Sequence, residues 1–368
     1  MKNVKKLKKR TIKSGVDVDS FMIGVLGARS NKKLKKHLHN LKDLGDTYKN
    51  GKLGVFSLKG INRNKQTIKG YLYNDGKWKL ATFSMPHAVI NRISLNKKWE
   101  RFFRRTLGNR MVNNFTFNKW DMYERLSKHP SLDKHLPVTR FVNGPQDIFG
   151  FLGQHNEGYI KPINGTKGKG VFKVSKHEQV YKVETSLKDP NDALYLNHEE
   201  LEEFFTTKCK KRKYIIQQAI DINVGKRPMD FRLIMIKDGE GVWRDLGIVA
   251  KKGRKNGIVS SGEEEISGNT ILNLLSNPRF EVIKIREQMT RISLNAAKEM
   301  EKHGGFNGNL GNLGFDLGLD RNQNLWIIEI NNRNPDHRIA FDVGDEETYM
   351  NSNKLLIDYC LHLIRKEV

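Results

Sequence analysis

The stretch YIKPINGTKGKGVFKV, Tyr159 to Val174, sets two apolar runs around a loop that holds Gly165, Gly168 and Gly170 with Lys167 and Lys169. A loop this poor in side chains and this rich in cations suits a phosphate, whose oxygens can be met by backbone N–H groups and lysines. Two familiar nucleotide loops are excluded by the residues on its C-terminal side. A Walker A loop needs G-x-x-x-x-G-K-S/T; Gly165 and Gly170 have the spacing, but Val171 and Phe172 come next. A dinucleotide fingerprint needs G-x-G-x-x-G ahead of a helix; Gly168 and Gly170 lead instead to Lys173, in a segment of strand character. What remains is a glycine hairpin between two antiparallel strands, folding over a phosphate chain as the glycine-rich loop of protein kinases does. Lys161, on the strand before the loop, would supply a point charge. The plain alternative is a solvated hairpin tip.

A second stretch, GFDLGLDRNQNLWIIEINNRN (residues 314–334), reads as another hairpin. A four-residue turn Arg321–Asn324 pairs Asp320 with Leu325, and that register sets Asp316 opposite Glu329. Opposed side chains share a face with Cβ atoms roughly 5 Å apart, and Asn331, two residues beyond Glu329, points the same way. Phe315, Leu317, Ile328 and Ile330 then form the core face. Two opposed carboxylates repel unless a cation lies between them, and oxygen-only ligands suit Mg²⁺ held jointly with substrate phosphates. An EF-hand is excluded: Asp320, Asn322 and Asn324 start one, but Leu325 stands at its glycine and Asn331 at its final glutamate. An exposed polar sheet face is the alternative.

Around these two hairpins the chain alternates strands and helices. FMIGVLGA (residues 21–28) reads as a buried strand into a glycine turn, and Leu34, Leu38 and Leu41 follow at helical spacing. NDG at 74–76 marks a hairpin turn between TIKGYLY and KWKLATF. KYIIQQAI is a strong strand, and DFRLIMIKD with VWRDLGIVAKK makes a further hairpin. Length alone, 368 residues, calls for more than one core. The expected division is a basic tail (1–18), an α/β domain (19–110) and a larger domain (111–368) with a subdomain at about 138–220.

The net charge of +25 is spread along the chain and favours anionic partners or plain solubility. Two cysteines, neither in a C-x-x-C pair, point to a reduced, cytoplasmic protein without a disulfide framework. No apolar run approaches the roughly 18 residues of a membrane helix, and no recognition-helix or RNP pattern supports a specific nucleic-acid partner. Lys251 and Arg254 read as equally suited to phosphate or to a solvated basic loop; His337 and Arg338 read as surface, and Trp243 and Trp326 as core.

A phosphate-gripping glycine hairpin followed about 150 residues later by a D…E-x-N hairpin resembles the ATP-grasp fold, an α/β (α+β) architecture in which ATP lies between two subdomains. The resemblance runs from about Asn118 to the C-terminus. It implies phosphate contacts from Lys119 and Lys161, a lid loop of Thr166, Lys167, Gly168 and Gly170, and a hinge Gln217, Gln218, Ala219 and Ile220 whose backbone reads adenine. It further implies that Asp230 and Arg232 form a D-x-R pair, that Arg232 and Arg333 face phosphates or substrate, and that Asp316, Glu329 and Asn331 hold Mg²⁺. The segments GVLGAR, KWKLATFSMPHAVINRI, FNKWDMYERLSKH and LPVTRFV are similar to the YheC/YheD family, ATP-grasp proteins described as endospore coat-associated in Bacillus-type bacteria. That similarity adds a Rossmann-like N-terminal pre-ATP-grasp domain. One departure stands out: Asn312 lies where a further acidic metal ligand is expected. The implied activity is an ATP- and Mg²⁺-dependent carboxylate–amine ligase with an acyl-phosphate intermediate. Its unidentified carboxylate and amine partners would include an acidic peptide or an envelope or spore-coat polymer. A non-catalytic nucleotide-binding coat protein is the alternative.

Overall fold

The computed structural model describes residues 21–48, 51–165, 168–186, 192–210, 212–260, 263–275, 279–304 and 308–367. Thr166 and Lys167 of the glycine-rich stretch lie outside the described residues, as does the basic segment 1–18.

Three sheets organise the chain. In the first, Met22–Ala28 pairs in parallel with Lys52–Ser57 and with Ala88–Asn91, and Ala88–Asn91 pairs in parallel with Met111–Val112. Thr67–Asn74 and Lys77–Ser84 add an antiparallel hairpin at one edge. Its turn is Asp75-Gly76 with φ of 50° and 74°, the left-handed pair that a two-residue turn between right-twisted strands demands. The segment expected as one helix after the first strand is broken instead: Asn31–Lys36, a 3₁₀ turn His39–Leu41, and Lys42–Thr47. Leu34, Leu41 and Leu44 are all buried, so packing on the sheet sets the spacing. The helix Lys97–Leu107, not anticipated from sequence, follows an Asn96 cap that accepts from Trp99 N.

The second sheet is wholly antiparallel, six strands between Thr139 and Gln218, with the two glycine-loop strands Glu157–Pro162 and Phe172–His177 side by side. Helices Pro145–His155 and His198–Cys209 cover one face, burying Phe151, Leu152 and Phe205 against Ile160 and Val174.

The third sheet carries the carboxylate hairpin, in the order Glu264–Ser267, Trp243–Lys252, Arg227–Lys237, Asn312–Leu319, Leu325–Asn331. Alternation along Arg227–Lys237 divides its side chains cleanly. Phe231, Leu233 and Met235 enter a core with helices Lys119–Leu126 and Arg279–His303, while Ile234 and Ile236 meet the C-terminal helix Glu346–Glu367. Asp230 and Arg232, on the same side as Ile234, are left facing a cleft. The C-terminal helix buries Leu356, Ile357, Cys360 and Ile364 together with Ile23, Val25 and Ile90, and so welds the first sheet to the third. Cys209 and Cys360 are both free.

Asn113, one residue past Met111–Val112, fastens the same junction. It is 2% exposed and has φ of 53°. Its Oδ1 accepts from Gly311 N at 2.9 Å, and its Nδ2 donates to Asn312 O at 2.8 Å and to Asn332 O at 3.1 Å. Asn113→Ala strands these buried backbone groups and puts a residue less tolerant of left-handed φ at the junction. The expected loss is on the order of 3 kcal/mol by urea unfolding. A change within about 0.5 kcal/mol would show that Asn113 does not hold the junction.

Candidate functional site

The carboxylate hairpin places Asp316 opposite Glu329, as expected, but by a different route. The turn is tighter in register than the sequence pattern suggests: Leu319, not Asp320, pairs with Leu325, and Asp320 caps the loop by accepting from Asn322 N and Asn324 N. A β-bulge between Asp316 and Leu317 then restores the offset. An extra residue bends the ladder and re-aims side chains. Ile327 therefore takes the core position, fully buried, while Ile328, expected in the core, lines the cleft. Trp326 is half-buried rather than core, donating to Asp320 Oδ2 at 3.0 Å; Trp243 is buried in the core.

A second bulge, between Ile234 and Met235, sets Asp230 opposite Lys251. With Arg232 opposite Asp316 on the other side, three adjacent strands present alternating acids and bases. Arg232 grips Asp316 with both limbs of its guanidinium, Nε to Oδ1 at 2.7 Å and Nη2 to Oδ2 at 3.2 Å. Lys251 Nζ lies 2.8 Å from Asp230 Oδ1 and 2.9 Å from Asp316 Oδ1. Ser260 donates to the other oxygen of Asp230. Lys251 is thus buried and ion-paired, which corrects the solvated-loop alternative. Burial alone would raise the Asp316 pKa, but the charges of Arg232 and Lys251 hold it well below the usual carboxylate range. Asp230 is pushed up by burial, against the pull of Lys251. Lys251 and Arg232 are each raised, their acidic neighbours outweighing burial.

Two lysines come from opposite directions. Lys119 opens its helix behind an Asn118 capping box and reaches Glu329 Oε1 at 2.8 Å and Gly165 O at 3.4 Å. Lys161 donates to Gln217 Oε1 at 2.7 Å. Burial, with Lys119 nearby, lowers the Lys161 pKa to about 8. Gln217 and Gln218 are paired into the second sheet, and Gln217 serves as the Lys161 partner; Ala219 and Ile220 follow the strand. Ile220, Ile222 and Ile328 give the cleft an apolar patch. Gly168 and Gly170 have φ of 68° and 79°, the left-handed backbone that glycine adopts without strain. Arg333 lines the same cleft and donates to Ser94 Oγ at 2.6 Å and Asn164 Oδ1 at 3.4 Å, touching the connections of two other sheets.

The cleft measures about 670 Å³ and joins Lys119, Lys161, Asp230, Arg232, Asp316 and Glu329 in one space. Glu265, Asp336 and Asp342 line it as well; none of them carries a sequence signature. His337 is buried, not surface, with Nε2 at 2.5 Å from Asn312 Oδ1. Burial and two arginines lower its pKa to about 3, so it is neutral at physiological pH. Asn312, where an acid was expected, is thereby engaged with His337. Lys251 could have been paired with Asp230 by counting back from the DGEG turn only with knowledge of the bulge.

A lysine- and arginine-lined cleft between an antiparallel sheet and a carboxylate-bearing sheet is the architecture of the ATP-grasp class. The chain belongs to the YheC/D-like ATP-grasp family, whose model matches residues 108–363. It is 27% identical over 298 residues to endospore coat-associated protein YheD of Bacillus subtilis (strain 168), covering 76% of this chain and 63% of that protein. Against endospore coat-associated protein YheC of the same organism the identity is 24% over 238 residues, covering 62% of this chain and 63% of that protein. The chain therefore spans 63% of the length of each of these curated relatives. Its fold matches D-alanyl-alanine synthetase A from Vibrio cholerae O1 biovar eltor str. N16961 with a TM-score of 0.55 at 10% identity, over 95% of this chain and 99% of that one. Among the described residues no helix is long and apolar enough to cross a membrane.

The depressed pKa of Lys161 has a stability consequence with a definite sign. Between about 8 and the ordinary 10.5 the unfolded chain holds a proton that the native chain has released, so this group makes stability rise with pH through that window. Below it, the native state carries a poorly solvated ammonium. Lys161→Met is expected to raise ligand-free stability at pH 7 by on the order of 1–2 kcal/mol, with the gap to wild type closing as pH rises from 8 to 10.5. Thermal unfolding at a series of pH values measures it; a variant less stable than wild type at pH 7 would contradict it.

Proposed function

We infer that this chain is an ATP- and Mg²⁺-dependent carboxylate–amine ligase. The observation that carries the reading is the convergence of Lys119, Lys161, Arg232 and Lys251 on one cleft that also presents the Glu329 and Asn331 side chains. The chemistry asks for that set. Phosphoryl transfer needs positive charge fixed where negative charge develops on the phosphoryl oxygens. Lys119 and Lys161 are placed to bind the phosphate chain, and Arg232, held by Asp316, to meet the transferred group. Ile220, Ile222 and Ile328 suit a flat base next to the hinge. Glu329 and Asn331 fit a hard divalent ion, which neutralises phosphate charge when bound.

A substrate carboxylate attacks the γ-phosphorus, ADP leaves, and an amine then displaces phosphate from the acyl phosphate, losing a proton. The glycine loop would exclude water from that reactive mixed anhydride. Arg333 is suited to orient the carboxylate substrate, while Glu265, Asp336 and Asp342 favour approach of a cationic amine. The net charge of +25 favours an acidic peptide or anionic envelope polymer as the carboxylate partner. We assign the residues near 19–110 to an N-terminal unit and those near 138–220 to the lid. We place the protein in the cytoplasm on its two free cysteines, with an association with the spore coat following the names of its relatives.

Unfolding with and without nucleotide tests the reading. MgATP or MgADP at about 100 times its Kd adds roughly 2.7 kcal/mol to the native state. That rise is expected in wild type only with Mg²⁺ present, and is expected to disappear in Lys161→Ala and Glu329→Ala. No shift at millimolar nucleotide would refute a nucleotide site and with it the ligase.

A further inference from the structure

The ion cluster in the wall of the cleft bears on how many metal ions the site can take. Asp316 is the carboxylate that the sequence nominates as a metal ligand, yet its acceptor positions are occupied. Oδ1 receives Arg232 Nε and Lys251 Nζ, and Oδ2 receives Arg232 Nη2 and Asn331 Nδ2. An ionised carboxylate offers about four lone-pair sites. Mg²⁺ requires an oxygen at about 2.0–2.1 Å in near-octahedral geometry, which here means evicting a buried cation. The cations are built in by strand register, Lys251 opposite Asp230 and Arg232 opposite Asp316, so they cannot be turned aside by rotating a surface side chain. Lys251 is 8% exposed and bridges two carboxylates that would otherwise repel.

The other expected ligands are arranged differently. Glu329 is bound through Oε1 to Lys119, and Oε2 has no partner among the described residues. Asn331 commits its amide nitrogen to Asp316 and to Gly314 O, and its oxygen has no hydrogen-bond partner among the described residues. Among the described residues no three acidic, His or Cys side chains gather as a metal cage.

We propose that Lys251 takes the place of a second divalent cation in this site, so that nucleotide binds with a single metal ion seated on Glu329 and Asn331. Asp316 then acts as a positioning residue for Arg232 and Lys251 rather than as a ligand. The proposal rests on the nucleotide-site reading above and sharpens its metal requirement.

Counting Mn²⁺ bound to the full chain by electron paramagnetic resonance, with saturating ADP, tests it without any turnover. One Mn²⁺ per chain is expected in wild type, and a second in Lys251→Ala, where Asp230 Oδ1 and one acceptor position of Asp316 Oδ1 are freed. Two in wild type would overturn the proposal and leave the nucleotide site standing. No nucleotide-dependent Mn²⁺ binding would remove the site and the proposal together. Should Lys251→Ala fail to fold, Asp316→Asn decides: a loss of Mn²⁺ affinity within the about 100-fold that removing an outer-shell partner costs supports a positioning role, and loss of Mn²⁺ binding beyond that overturns it.

Discussion

A carboxylate buried in the middle of a sheet is tolerable only when its charge is answered, and Asp316 is answered twice, by Arg232 and by Lys251. Stripping either cation away would leave an uncompensated buried charge, far more damaging than any gain the intact pair brings over an apolar core. The consequence is geometric more than energetic. Acids and bases alternate across the strands 227–237, 243–252 and 312–319, and a one-residue slip of 312–319 would set Phe231 or Leu233 against Asp316 in place of Arg232. The ion cluster therefore locks the register on which the cleft face depends, and every side chain that reaches the cleft from this sheet inherits its position from that lock.

The family and the principal site residues are legible in sequence because they rest on local order: a glycine loop flanked by two strands, then D…E-x-N across a short turn. The finer positions are not, because β-bulges carry no reliable sequence mark. The Asp316–Glu329 opposition survives only because an offset at the turn and an offset at the bulge cancel. The same bulge moves Ile328 from core to cleft and Ile327 the other way. At the neighbouring hairpin there is no such cancellation: the bulge near Ile234 decides that Lys251, a residue indistinguishable in sequence from the lysine after it, lies buried between two acids. His337 illustrates another limit. Its neighbours Asp336 and Arg338 are polar, and its burial against Asn312 and two arginines comes from chain segments far away.

Long-range fastening is equally silent in the sequence. Asn113 is one asparagine among many, yet its left-handed backbone and amide join the last strand of the first sheet to both ends of the carboxylate hairpin, across some 200 residues of sequence. The C-terminal helix does the apolar part of the same work, with Ile23 and Val25 on one side and Ile234 and Ile236 on the other. Arg333 follows the third-sheet hairpin and reaches Ser94 and Asn164. The cleft is in this way a meeting of all three sheets, and its shape is sensitive to how they are held rather than to any one of them.

Charge in the cleft and charge over the whole chain are separate matters. The excess of +25 is distributed over the sequence, whereas inside the cleft each basic group of the ion cluster faces an acid. Lys161 stands outside that cluster: it has a neutral partner, Gln217, and is pushed toward losing its proton by burial and by Lys119. A cation kept short of counter-charge lowers ligand-free stability and raises the gain when an anion arrives, since the anion then supplies the missing partner. Pairing of Arg232 and Lys251 with built-in acids fixes geometry; leaving Lys161 without a counter-charge reserves attraction. The two together describe a site whose framework is satisfied before any ligand binds, while the unanswered charge of Lys161 points at the place where a phosphate chain would lie.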